Sequence, residues 1–303
     1  VTTTTTTAEP NEPSETKESF ALGRDGTRLY VRRKSGPSRV AAIFCDGICC
    51  DGFIYKYLWD DLERSMSVVH WHYRGHGRSA PPENPEELGV DAHVSDLAAV
   101  RQEVEDPPAV LIGHSFGTQI CLEGYRARPE GIRALVLLCG SFGRVTHTFH
   151  NSEMLASVLP KLSDMAQKYP KLVRAVWSRV PPKVALRIAL LSGEIDPKTI
   201  NPADVEPYFR HAAHIDFPMF AKMLHAAGEH SAEDMLPSVK VPVLVVAGDH
   251  DSFTPPQLSE RMAEALPNSE LVMLPGGTHV APLEHHERVA LEIEKFLQKH
   301  QVV

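Results

Sequence analysis

Ser115 lies in the pentad Gly113-His114-Ser115-Phe116-Gly117, a G-x-S-x-G pattern able to carry nucleophilic chemistry. The apolar run AVLIGHS leads into it, and the helical pattern Phe116–Arg128 leads out and stops before Pro129. A strand turning sharply into a helix at a serine lifts the hydroxyl to the helix N-terminus, where oriented amides favour negative charge. A serine hydroxyl is a weak nucleophile near neutral pH and needs a base. Among sixteen histidines, His279 has the fitting context, in GGTHVAPLE after the last apolar run and before the final helix. His285 and His286 read as solvated residues of that helix, and His114 as a packing residue. An acid that orients the base is expected after the preceding strand, where AGDHDSFTPP offers Asp249 and Asp251. Each also reads as a turn or capping residue ahead of Pro255-Pro256, so these residues alone leave the choice open.

The elements around these residues must bring them to one edge. Ser19–Arg24 and Thr27–Arg33 read as strands joined at Asp25-Gly26, a favoured turn pair. Arg39–Cys45, Met66–Tyr73, Ala109–His114, Ile132–Cys139, Val241–Ala247 and Glu270–Leu274 are strand-like, most of them apolar without alternation. Helical patterns over Phe53–Arg64, Val90–Glu105, Phe116–Arg128, Pro256–Leu266 and His285–His300 separate them. Buried strands alternating with helices predict a mostly parallel eight-stranded α/β sheet covered on both faces. In such sheets sites form beyond the carboxyl ends of the strands, where Ser115 and His279 both fall.

Residues 145–236 break the rhythm, with helix-like stretches punctuated by prolines and no convincing strand. A segment of that length is too long for a plain loop. It reads as a helical lid inserted after the sixth strand, with apolar residues such as Met165 and Trp177 facing a pocket. The core is then residues 19–144 and 237–303. Residues 1–18 begin with Val1 and six threonines and read as a polar, disordered tail lacking the basic and apolar regions of a secretory signal. A signal removed upstream is left open.

Composition narrows the function classes. The 303 residues are 43% hydrophobic and 23% charged, ordinary for a globular protein. A net charge of −8 argues against a nucleic-acid partner, and no apolar run is long enough to span a bilayer. Five cysteines, at 45, 49, 50, 121 and 139, fit reduced thiols of a cytoplasmic protein rather than a disulfide frame or a metal site. The expected partner is a small hydrophobic substrate, with the oligomeric state open between monomer and homodimer.

The strand–GHSFG–helix unit, YRGHGRS at 73–79, GDHDSFTP, and GGTH followed by Glu284 resemble the α/β-hydrolase superfamily. More narrowly they are similar to its lidded serine esterase and C–C hydrolase-like branch, and the resemblance runs from about Phe20 to Phe296. It implies the α/β-hydrolase fold and ester or related acyl-bond hydrolysis with no metal or organic cofactor. The family's acid falls in G-x-x-D-x-x-x-P, which maps to Gly248, Asp251 and Pro255 and favours Asp251 over Asp249. Oxyanion-hole amides are implied at Ile48 and Phe116. Two departures stand out. Asp46-Gly47 occupies the place of the family's His-Gly, with a second Cys-Asp-Gly run at 50–52, and Trp71-His72 replaces Pro-Asp. The same triad also serves C–C bond hydrolases, acyltransferases and cofactor-free perhydrolases, and some members of the superfamily are ligand receptors with slow turnover or none.

Overall fold

The computed structural model describes residues 15–148, 157–158, 160–161, 164–165, 168–177, 179 and 181–303. Eight strands form one sheet: β1 (Lys17–Leu22), β2 (Arg28–Lys34), β3 (Ser38–Cys45), β4 (Met66–Trp71), β5 (Ala109–His114), β6 (Ile132–Leu138), β7 (Val243–Gly248) and β8 (Ser269–Leu274). Their order is β1-β2-β4-β3-β5-β6-β7-β8. β2 pairs antiparallel with β1 and with β4, and every later pairing is parallel, as the uninterrupted apolar runs require.

The expected tail ends sooner than residue 18. Lys17 already pairs with Arg33, and Glu18 accepts hydrogen bonds from the Tyr30 hydroxyl and Arg78. Residues 1–14 of the expected tail lie outside the described residues.

Helices α1 (Lys56–Leu62), α2 (Val90–Glu103) and α3 (Phe116–Ala127) follow β3, β4 and β5 respectively. Alternate residues of β5 supply the two faces of the sheet. Ala109 and Leu111 pack with Leu97, Val100 and Ile120 of α2 and α3, whereas Val110 and Ile112 join Leu58 of α1 and residues of the C-terminal helix. Each fully buried aliphatic side chain of this kind contributes about 1.5–3 kcal/mol. The sheet is therefore a rigid platform for whatever its carboxyl edge carries.

Between β6 and β7 the described residues form helices: α4 (Val145–Thr148), α5 (Pro170–Trp177), α6 (Pro182–Ser192), α7 (Pro202–Ala212) and α8 (Phe217–Glu229). Local signals start the last two. Asn201 accepts from the Ala203 amide and Asp216 from the Met219 amide, with Pro202 and Pro218 in the first helical turn. An isolated bridge between Gly143 and Ser231 closes the base of this insertion. Much of the expected helical stretch Met154–Val180 lies outside the described residues, as does the Trp177 side chain. Met165, expected to face a pocket, is half exposed at 48%. The chain ends with α9 (Pro256–Ala265), α10 (Ala281–Glu284) and α11 (His286–Lys299). His286 is not simply solvated: it is half-buried, with its ring stacked on Tyr57 at 4.0 Å between centroids.

Candidate active site

Ser115 occupies the turn between β5 and α3 with φ 55° and ψ −116°, a left-handed φ that a residue with a Cβ rarely adopts. Its amide donates to the Leu138 carbonyl at 3.0 Å, tying the strained turn to the end of β6. Close packing explains the glycine two residues on. A Cβ on Gly117 would lie 1.9 Å from the Cys45 carbonyl oxygen at the end of β3.

The loop after β3 reaches the same point. A Cβ on Gly47 would lie 3.2 Å from the Cβ of Ser115, so the first of the two Cys-Asp-Gly runs adjoins the serine. Gly52 of the second run packs against the His70 ring. Ile48 follows Gly47 in the loop, and Phe116 opens α3, so its amide is among those a helix leaves unpaired at its start.

His279 arrives from the loop between β8 and α10. Its Nε2 is 2.9 Å from Ser115 Oγ, and its Nδ1 is 2.9 Å from Asp251 Oδ2 and 3.1 Å from Oδ1. With the proton on Nδ1, the imidazole donates to the carboxylate and presents its Nε2 lone pair to the serine hydroxyl. The Asp251 side chain is fully buried and also accepts from the amides of Phe253 and Thr254, both at 2.9 Å, and from the Thr254 hydroxyl at 2.8 Å. Asp249 instead accepts from the Gly276 amide at 2.7 Å, within the turn. Three residues from three loops thus form one hydrogen-bonded relay able to move a proton from the serine to the imidazole.

Several side chains around the relay carry no sequence signal. His114 Nε2 donates to the backbone carbonyl of His279 at 2.9 Å, so this residue braces the base as well as packing. Burial pushes its imidazole down to about 3, which keeps it neutral. The Phe253 ring stacks on His279 at 4.9 Å between centroids. Glu284, noted above only for its place in the GGTH pattern, accepts from the Thr278 amide and hydroxyl, each at 2.8 Å.

Both departures in the motifs have a structural answer. Asp46 and His70 are completely buried and meet at 2.7 Å between Oδ2 and Nε2. His72 Nδ1 accepts from the Arg78 amide at 2.8 Å, fastening the YRGHGRS stretch to the end of β4. All five cysteines are buried and free, and burial pushes the Cys49 thiol up to about 12, so it stays protonated. Among the described residues no cluster of three or more His, Cys, Asp or Glu has metal-site geometry, and no helix is long and apolar enough to cross a membrane.

Known proteins match along most of the chain. Polyketide synthase ThaQ of Burkholderia thailandensis is 27% identical over 90% of this chain, which spans only 12% of ThaQ's length. A pimeloyl-[acyl-carrier protein] methyl ester esterase of Neisseria meningitidis serogroup A is 28% identical over 89% of this chain and 81% of its own. Among solved structures, a thermophilic esterase from Thermogutta terrifontis superposes with a TM-score of 0.74 at 21% identity, over 94% of this chain and 99% of that one. Residues 40–286 match the family model of the alpha/beta hydrolase fold, and with the sheet order and the serine turn described above, the chain belongs to that family.

Proposed function

We propose that the chain is a serine hydrolase that cleaves the acyl bond of small to medium hydrophobic esters, lactones or thioesters. Ser115 attacks the carbonyl, His279 takes its proton, and Asp251 holds the imidazole in the tautomer that leaves Nε2 free to accept. The amides of Ile48 and Phe116 receive the oxyanion of the tetrahedral intermediate, each donor being worth about 3 kcal/mol of barrier. The proton then passes from His279 to the leaving group, and water resolves the acyl-enzyme by the same relay in reverse. The observation that carries this reading is the Ser115–His279–Asp251 relay at 2.9 Å for each link. The similarity to a methyl ester esterase supports an ester as the bond.

Residues 145–236 act as the lid and acyl pocket in this reading. Support comes from their attachment to the edge that bears the site. The Asp196 amide donates to Glu284, and Gln119 of the helix after the serine donates to the Ala227 carbonyl. A panel of acyl and leaving groups, run beside labelling with a fluorophosphonate, tests the assignment. Ser115→Ala is expected to cut turnover on the best ester about 10³-fold or more, abolish labelling and leave folding intact. Labelling that survives at another serine, or a panel without turnover, would overturn it. Preferential cleavage of a diketone or transfer to an alcohol would move the reaction class while keeping the triad.

A further inference from the structure

We propose that the buried Asp46–His70 pair positions the loop carrying the Ile48 amide, and that the pair must stay uncharged for turnover. The inference rests on the oxyanion role of Ile48 proposed above. The loop is fixed at four points. The Tyr55 hydroxyl donates to the Cys45 carbonyl at 2.5 Å, and the Tyr73 hydroxyl to the Asp46 carbonyl at 2.8 Å. The Cys49 amide donates to His76 Nε2 at 3.2 Å, and Asp46 meets His70 at 2.7 Å. Cys49 has φ 65°, so the loop keeps a left-handed residue with a side chain that these bonds must hold in place. Three of the four anchors grip backbone. The fourth is a side-chain pair that can change charge.

Its protonation follows from its surroundings. Both groups are completely enclosed, and burial pushes the Asp46 carboxyl up to about 8 and the His70 imidazole well below its ordinary value. The favoured state is therefore uncharged, with the carboxyl proton donated to His70 Nε2. Arg32 from β2, His211 from α7 and the Gly52 amide face Asp46 and favour its anion. Asp51, the Cys50 thiol and the hydroxyls of Tyr55 and Tyr73 also lie near it, and burial pushes the thiol and both hydroxyls up, so those three stay uncharged. The His72 ring lies edge-on to His70 at 5.3 Å and is held uncharged by burial. Once the pair loses its proton, it becomes a buried anion one residue before Gly47, which touches Ser115. An oxyanion forming at the Ile48 amide then meets a like charge in a medium that screens poorly.

The test is the pH profile of kcat and KM on a soluble p-nitrophenyl ester between about pH 6 and 10. The wild-type chain is expected to lose kcat about tenfold or more above a midpoint near pH 8, with KM little changed. Asp46→Asn retains a hydrogen bond to His70 but cannot ionise, so its profile should lack the alkaline limb and keep only the acid-side rise that a histidine base imposes. His70→Gln leaves Asp46 ionisable with a different partner, so its alkaline midpoint should move. A wild-type profile without the limb, a limb that persists in Asp46→Asn, or an unmoved midpoint in His70→Gln would overturn the proposal. The last variant decides the matter if Asp46→Asn does not fold. Fluorophosphonate labelling of Ser115 is run in parallel. Absent labelling and turnover would instead be the failure of the hydrolase reading.

Discussion

Asp249 and Asp251 leave β7 two residues apart, and an extended chain would point them the same way. Their hydrogen bonds divide the roles. Asp251 gives both oxygens to His279 Nδ1, and the Thr254 hydroxyl and two amides hold the carboxylate still. Asp249 closes a turn through the Gly276 amide. Asp251→Asn presents an amide donor where the imidazole N–H needs an acceptor, favouring the other tautomer, which cannot accept from the serine. In serine proteases that exchange costs about 10⁴-fold in kcat. Turnover by Asp251→Asn should accordingly collapse by about 10³- to 10⁴-fold, with a melting temperature near that of the parent. Asp249→Asn should cost about 1 kcal/mol of stability and keep activity within about tenfold. Steady-state kinetics and thermal melts of both variants separate the assignments, and the reverse pattern would move the acid to Asp249.

At the level of elements, most of the sheet is legible in the sequence because buried parallel strands have a plain signature. AVLIGH and IRALVLL have no polar alternation, and a strand so composed must be covered on both faces. The serine turn is legible for a related reason, since it needs small residues in fixed places. By contrast, the pairing of Asp46 with His70, the bond from His114 to the His279 carbonyl and the contact of Phe253 with His279 depend on how separate loops meet. No local pattern encodes such meetings. The placement of the two Cys-Asp-Gly runs is of the same kind, with Gly47 of the first close to Ser115 and Gly52 of the second against the His70 ring. Prolines mark helix starts between β6 and β7, but periodicity does not tell which apolar faces turn outward, and Met165 is one that does. Glu284 illustrates a link between elements. Its carboxylate, buried in α10, satisfies the amide and hydroxyl of Thr278, immediately before His279, and the amide of Asp196 from the insertion. Glu284→Ala strands these donors, at a cost of about 2–3 kcal/mol in urea unfolding. It should also lower kcat more than it raises KM, because the His279 loop loses its anchor. Loss of stability with unchanged kcat would mean that β8, Asp251 and the His114 bond position His279 without Glu284.

On the scale of the whole molecule, several histidines are folded into the interior as neutral side chains. Burial pushes His72 down to about 2, His93 and His114 to about 3, and His76 to about 4. An unfolded histidine takes up a proton near pH 6.5, whereas these four take up none until far lower. Below that pH the unfolded chain binds more protons than the folded one, so stability must fall as the solution is acidified. The loss begins near pH 6.5 and continues down through the folded values. Fully developed, each such group contributes a slope of about 1.4 kcal/mol per pH unit, or about 5 kcal/mol per unit for the four together. Asp46 and His70 add little between about pH 5 and 6.5, because the folded pair keeps one proton on the carboxyl while the unfolded pair keeps one on the imidazole. The ordinary carboxylates are still ionised in that window, which isolates the histidine effect. His93 is the member to remove: its Nδ1 donates to the Gly89 carbonyl, and its ring packs edge-on against Tyr73 and Phe116. His93→Gln keeps a donor but cannot take up a proton, so it should reduce the pH slope by about 1.4 kcal/mol per pH unit while lowering stability at neutral pH. Chemical denaturation from about pH 7 to 5 measures both quantities, and a slope unchanged in His93→Gln would mean that this buried ring is not a source of the acid sensitivity.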